Sequence, residues 1–90
     1  MSERAMSERT IKLKRLKYQS NYRGVKEMDI FLGCFAEKFL PGFSDSELDF
    51  YEKFLNESDQ DIYDWIVGKA PLPAFHDNKV TRLLVNFRLS

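Results

Sequence analysis

Asn21-Tyr-Arg-Gly-Val-Lys-Glu-Met-Asp-Ile-Phe-Leu-Gly-Cys-Phe35 is the stretch that decides how this chain folds. A cationic segment ends within it at Arg23-Gly24, and an apolar pattern with helical spacing starts directly after. Met28, Phe31, Leu32, Phe35 and Phe39 recur at steps of three and four, which gathers them on one face of an α-helix. Gly24 is the joint. With Gly24 as N-cap, Glu27 stands at the third helical position, where its carboxylate accepts from the cap's backbone N–H and complements the helix dipole. Arg23-Gly-x-x-Glu27 therefore reads in two ways: as a glycine joint with half a capping box, or as charged contact residues. The predicted helix runs from Val25 to Leu40 and stops at Pro41-Gly42. Its flank of Glu27, Ile30, Cys34 and Lys38 mixes apolar and charged groups, as a second contact surface or a packed helix neighbour would.

On the N-terminal side, Thr10–Ser20 alternates Ile11 and Leu13 with lysines, a strand-like pattern taken alone. No other segment offers a strand to pair with, and Lys, Arg, Leu and Gln are good helix formers, so a helix is predicted. Residues 1–9 contain M-S-E-R twice, too little for a structural repeat, and residues 1–8 are expected to fray. Met6 is an alternative start. Residues 9–90 then form a single helical domain.

On the C-terminal side, Ser44-Asp-Ser-Glu47 is a capping box opening a third helix that extends to about Asn56. Ser58 or Asp59 caps a short fourth helix through Ile62, Trp65 and Ile66, with Trp65 expected in the core. Gly68 stops that helix, and Pro71 and Pro73 keep the connection from resuming one. Asp77 is expected to cap a fifth helix with the stripe Val80, Leu83, Leu84 and Phe87. The predicted fold is all-α, a small bundle of about five short helices.

Ninety residues suffice for one domain with an economical core, supplied in good part by eight Phe, four Tyr and one Trp. No apolar run approaches the roughly 20 residues that cross a bilayer. The N-terminus lacks a secretory apolar segment, and Glu3 and Glu8 are unlike a transit peptide. Cys34 stands alone, without an intramolecular disulfide partner or metal-ligand spacing. A reducing compartment is expected, the bacterial cytoplasm ahead of the mitochondrial matrix.

The net charge of zero is sorted along the chain. Residues 1–26 carry eight basic and two acidic side chains, residues 27–64 two and eleven, and residues 65–90 four and one. Such polarity either steers a partner over a Debye length of roughly 8–10 Å or holds a basic helix against an acidic body.

Catalysis finds little support. One histidine, His76, and one cysteine form no nucleophile, phosphate-binding or metal-binding motif, and Asp59, Asp61 and Asp64 suit a helix N-terminus. A nucleic-acid module would use Lys12, Lys14, Arg15 and Lys17 on phosphates, with Tyr18 and Tyr22 for stacking. The sequence pI of about 6.6 and the acidic middle argue against it. A protein-binding module is the leading reading, with Tyr22, Arg23, Gly24, Lys26 and Glu27, and the flank of Ile30 and Cys34, as its surface. Arginine offers a planar fork for a carboxylate or phosphate, and Tyr and Arg are favoured interface anchors. If these residues are contacts alone, Arg23→Lys and Glu27→Gln should leave stability near normal.

Tyr22–Ala36 resembles the signature of the succinate dehydrogenase flavinylation assembly factors, small bacterial and mitochondrial proteins marked by an RGxxE motif with an aspartate two residues on. Asp59-Gln-Asp-Ile-Tyr-Asp-Trp65-Ile-Val-Gly68 is similar to the family's D-x-D-[LI]-[YF]-x-W-x-x-G segment, and the likeness covers roughly Leu16 to Leu84. It implies five helices and a chaperone-like factor rather than an enzyme. That factor engages the flavoprotein subunit of succinate dehydrogenase, with the fumarate reductase flavoprotein as a second client, and promotes covalent attachment of the client's FAD. It implies no stably bound cofactor or metal, no nucleic acid, no membrane span and a free monomer. Arg23, Gly24 and Glu27 are the matched motif positions, with Asp29 beside them. Cys34 and the short basic start depart from the family pattern without touching the motif.

Overall fold

The computed structural model describes residues 8–24 and 26–89. Five α-helices follow one another: α1 (Glu8–Asn21), α2 (Lys26–Phe39), α3 (Asp45–Leu55), α4 (Asp59–Val67) and α5 (Lys79–Leu89). Single 3-10 turns at Leu40–Gly42 and Ala74–His76 complete the regular structure of the described residues, which hold no strand. The expected fraying of residues 1–8 falls largely on residues 1–7, outside the described residues, whereas Glu8 already belongs to α1. The expected start of the second helix, Val25, also lies outside them.

The α2 stripe builds the core as its spacing predicts. Met28, Leu32, Phe35, Ala36 and Leu40 are buried with Leu16 of α1 and with Leu48, Tyr51, Phe54 and Leu55 of α3. Ile62, Ile66, Val80 and Leu84 close the far side. Phe35 is the hub. Its ring meets Phe39, Phe43, Tyr51 and Phe87 at centroid separations of 4.9–6.1 Å, within the range where tilted and edge-on aromatic pairs attract.

Charge sorting sets the direction of the helices. Arg9 meets Asp45 at 2.8 Å, Lys12 meets Asp49 and Glu52, and Arg15 meets Glu52, so the pairing advances the same way along both helices. α1 and α3 therefore run parallel. α2 runs antiparallel beside α1, with Lys17 4.0 Å from Glu37 near one end and Arg23 against Asp29 at the other. The hydrogen bond to Asp49 is the main reason the Lys12 ammonium titrates above its ordinary range, and the same bond lowers Asp49. Exposed pairs of this kind are screened by solvent, so their value lies in register more than in stability. Arg9, Lys12 and Arg15, with their acidic partners, are committed within the domain, and the nucleic-acid reading is not supported.

Local signals fix most helix ends. Ser44 accepts from the Glu47 N–H at 3.2 Å, and Glu47 accepts from the Ser44 N–H at 2.8 Å, a complete capping box. Ser58, not Asp59, caps α4, accepting from the Asp61 N–H at 3.1 Å. Gly68 ends α4 with φ +85°, a left-handed conformation that glycine adopts without steric cost. Three expectations are corrected. Glu27 makes no side-chain hydrogen bond to the Gly24 N–H among the described residues, so the half capping box expected there is not formed. The cap of α5 is Asn78 rather than Asp77: Asn78 Oδ1 accepts from the Val80 and Thr81 N–H groups, and Thr81 Oγ1 accepts from the Asn78 N–H. Asp77 instead pairs with Arg82 at 2.9 Å. Trp65 is half-buried at the rim of the core, because Ile62 and Ile66 take the central positions of so short a helix.

Candidate functional site

Arg23 organises the region where the α1–α2 loop meets the turn between α3 and α4. Its Nη1 donates to the Leu55 carbonyl at 2.8 Å and its Nη2 to the Glu57 carbonyl at 3.1 Å. Its Nε donates to Asp59 Oδ1 at 3.0 Å, and Nη2 lies 2.9 Å from the same oxygen. The two carbonyls sit at the C-terminal end of α3, where helix backbone acceptors lack intrahelical donors and the dipole favours a cation. Asp59 is the first residue of α4, where the dipole favours an anion. One guanidinium thus serves both ends of the turn. Its side chain is only 12% exposed.

The backbone before and after Arg23 is shaped for this docking. Gly24 has φ +96°, a left-handed conformation that a Cβ strains even though the nearest atom to such a Cβ, Asp59 Oδ2, is 3.9 Å away. Asp29, one turn into α2, accepts from the Arg23 N–H. Glu57, whose carbonyl Arg23 holds, also reaches the last connector: its Oε2 lies 2.6 Å from His76 Nε2. The buried His76 ring is flanked by Phe54 and Trp65 at 5.6 and 5.4 Å.

The candidate residues therefore divide. Arg23, Gly24 and Asp29 form the inner scaffold, and Tyr22, Lys26, Glu27 and Ile30 face outward. Tyr22 is 69% exposed and packs against Tyr18, the rings tilted by 32° with centroids 4.5 Å apart. Ile30 is 59% exposed, and Cys34, one turn further along the flank, is exposed as well. Ile30 and Cys34 are thus left uncovered, whereas Lys38 at the end of the flank lies over the Phe87 ring of α5, 5.9 Å from its centroid. Among the described residues, Glu27 makes no side-chain hydrogen bond or ion pair and borders a groove between α2 and α4. With Arg23 enclosed, the expectation that Arg23→Lys spares stability no longer holds: lysine cannot span three acceptors in one plane.

Sequence reasoning missed Asp59 as the partner of Arg23, treating it as an ordinary dipole complement. It also missed the α4 wall beside Glu27, formed by Tyr63, Ile66 and Val67. The D-x-D spacing of Asp59 and Asp61 was the available signal, since only one of the pair is needed for the dipole. No group of three or more metal-ligating side chains occurs among the described residues, and no helix there is long and apolar enough to cross a membrane.

An all-α domain with an internally braced loop and an outward edge of Tyr22, Lys26, Glu27 and Ile30 belongs to the class of small helical bundles. Comparison with known families narrows the class: residues 14–88 match the family described as flavinator of succinate dehydrogenase, and the chain belongs to that family. Relatives share the sequence closely. "Succinate dehydrogenase assembly factor 2, mitochondrial" of Debaryomyces hansenii is 45% identical over 78 residues, covering 82% of this chain and 55% of the relative. The protein of that name from Scheffersomyces stipitis is 44% identical, covering 82% and 52%. The one from Danio rerio is 39% identical over 87 residues, covering 94% and 55%. The chain spans about half the length of the curated relatives it matches. All three are named mitochondrial, and this overturns the expectation of a bacterial cytoplasmic protein.

Proposed function

We propose that this domain is an assembly factor that binds the flavoprotein subunit of succinate dehydrogenase and promotes covalent attachment of its FAD. The observation that carries the reading is the family match across residues 14–88, which contains both the Arg23–Glu27 motif and the Asp59 that Arg23 engages. The geometry adds a division of labour. Arg23, Gly24 and Asp29 hold the loop, and Tyr22, Lys26, Glu27 and Ile30 meet the client. The factor is a binding partner and not an enzyme: the bond-forming chemistry and the FAD belong to the client, and the factor keeps no cofactor of its own. It is a monomer when free, and the fumarate reductase flavoprotein is a second client. These expectations rest on the family resemblance and on the outward placement of the motif's charged residue.

Mixing the purified domain with purified flavoprotein subunit and resolving the mixture by size-exclusion chromatography with light scattering tests the reading. A complex with one factor per flavoprotein is expected. Two separate peaks at micromolar concentrations of both proteins contradict it.

A further inference from the structure

Beside the start of α2, α2 and α4 leave a two-part groove. One part is a cavity of about 270 Å³ walled by Phe31, Tyr63 and Val67, with Met28 and Ile66 as its floor and Glu27 at its rim. The other, of about 370 Å³, is bordered by Glu27, Asp59, Gln60, Tyr63 and Lys69. Glu27 and Tyr63 border both, so the two parts adjoin at these residues. Met28 and Ile66 are 2% and 6% exposed, which makes the floor of the apolar part the hydrophobic core itself. An apolar cavity of roughly 150 Å³ takes up benzene, so this part has room for a ring-sized or branched side chain.

The polar part is lined by two carboxylates and one lysine, and with Asp59 paired to Arg23 the charges left there are Glu27 and Lys69. Asp59 spends one oxygen on Arg23. Glu27 has no partner among the described residues and stands at the junction of the two parts. A carboxylate next to an apolar slot is complemented by a cation next to an apolar side chain, and a charge-assisted bond there is about twice as strong as a neutral one.

We propose that the groove receives a segment of the client flavoprotein in which a large apolar side chain enters between Phe31 and Val67 while a neighbouring arginine or lysine meets Glu27. This rests on the assembly-factor reading and adds the chemistry of the contact. The apolar side chain supplies burial, and the cation fixes register and orientation. Gly24 and the Arg23 brace place Glu27 by holding the loop that leads into α2. The motif's two charged residues thereby take different tasks, one inward and one outward.

The test uses the full domain and purified flavoprotein subunit. A photoreactive phenylalanine analogue placed at Val67 is expected to cross-link to one client segment bearing a basic residue within a few positions of the captured apolar side chain. The same analogue at Ile11, on the outer face of α1, is expected to give no such product. Val67→Asp is expected to weaken binding at least tenfold, and Glu27→Lys at least tenfold, with helical circular dichroism unchanged. Should Val67→Asp lose its helical signal, the cross-link decides. Cross-linking at position 67 to a second copy of this chain, to a client segment without a cation, or to nothing while the complex still forms overturns the groove proposal and leaves the assembly-factor reading standing. Absence of any complex with the unmodified domain removes both.

Discussion

The Arg23 guanidinium and the Asp59 carboxylate meet with Nη2 and Oδ1 2.9 Å apart, joining residues 36 positions apart in the chain. The same guanidinium holds the carbonyls of Leu55 and Glu57. A motif residue that would be read from sequence as a surface contact is thus a brace between two helix ends.

Arg23→Lys keeps the charge and loses the planar fork. Hydrogen bonds to charged groups contribute about 1.5–3 kcal/mol, and a domain of this size shifts by roughly 4–8 °C for each kcal/mol. A fall in melting temperature on the order of 10 °C is expected by calorimetry. An unchanged melting temperature would mean that the brace is dispensable and that Arg23 acts outward.

Glu27→Gln should behave oppositely. The carboxylate is exposed and makes no bond among the described residues, so stability is expected within about 0.5 kcal/mol of the parent. Client binding is expected to fall at least tenfold. A melting shift as large as that of Arg23→Lys would assign Glu27 to the fold instead.

Tyr51 predicts behaviour in alkali. Its hydroxyl is buried 2.6 Å from Ser20 Oγ, whose own proton goes to the Leu16 carbonyl, so Tyr51 is the donor. Burial pushes its pKa from 10.0 up to about 12. Between those values the unfolded chain releases a proton that the folded chain keeps, so stability is full below pH 10 and lost as the pH rises toward 12. The loss amounts to about 3 kcal/mol at most. Tyr51→Phe is expected to cost about 1–3 kcal/mol at neutral pH and to flatten this part of the alkaline profile in denaturant titrations. An identical profile in parent and variant would show that Tyr51 ionises freely in the folded state.

Asn78→Ala is expected to cost about 0.5–2 kcal/mol, the usual range for a lost N-cap. Asp77→Ala should leave the melting temperature close to that of the parent, since Asp77 makes only an exposed pair with Arg82. The reverse order would restore Asp77 as the cap.

What was legible in the sequence is what depends on near neighbours. The α2 stripe, the Ser44–Glu47 box and the Gly68 stop each span a few residues and involve side chains with strong local preferences. The basic start and acidic middle were legible as charge, and only the folded register showed which lysine meets which carboxylate. Two of the three residues that hold the Arg23 guanidinium do so through backbone carbonyls, and a carbonyl leaves no trace in residue type. Asp77 and Asn78 are adjacent and equally good caps, so a one-residue error there had no local cue against it. The groove beside Glu27 needed α4 placed against α2, a relationship set by tertiary packing.

The central claim is tested most directly by covalent flavin itself. Cells lacking the native factor are supplied with this domain, its Glu27→Gln variant or neither, and flavin fluorescence of the flavoprotein band is read in a denaturing gel at equal protein loading. The account predicts full fluorescence with the parent domain, a faint band with the variant, and a faint band with neither, the flavoprotein being present in all three. Equal fluorescence in the three lanes would contradict it.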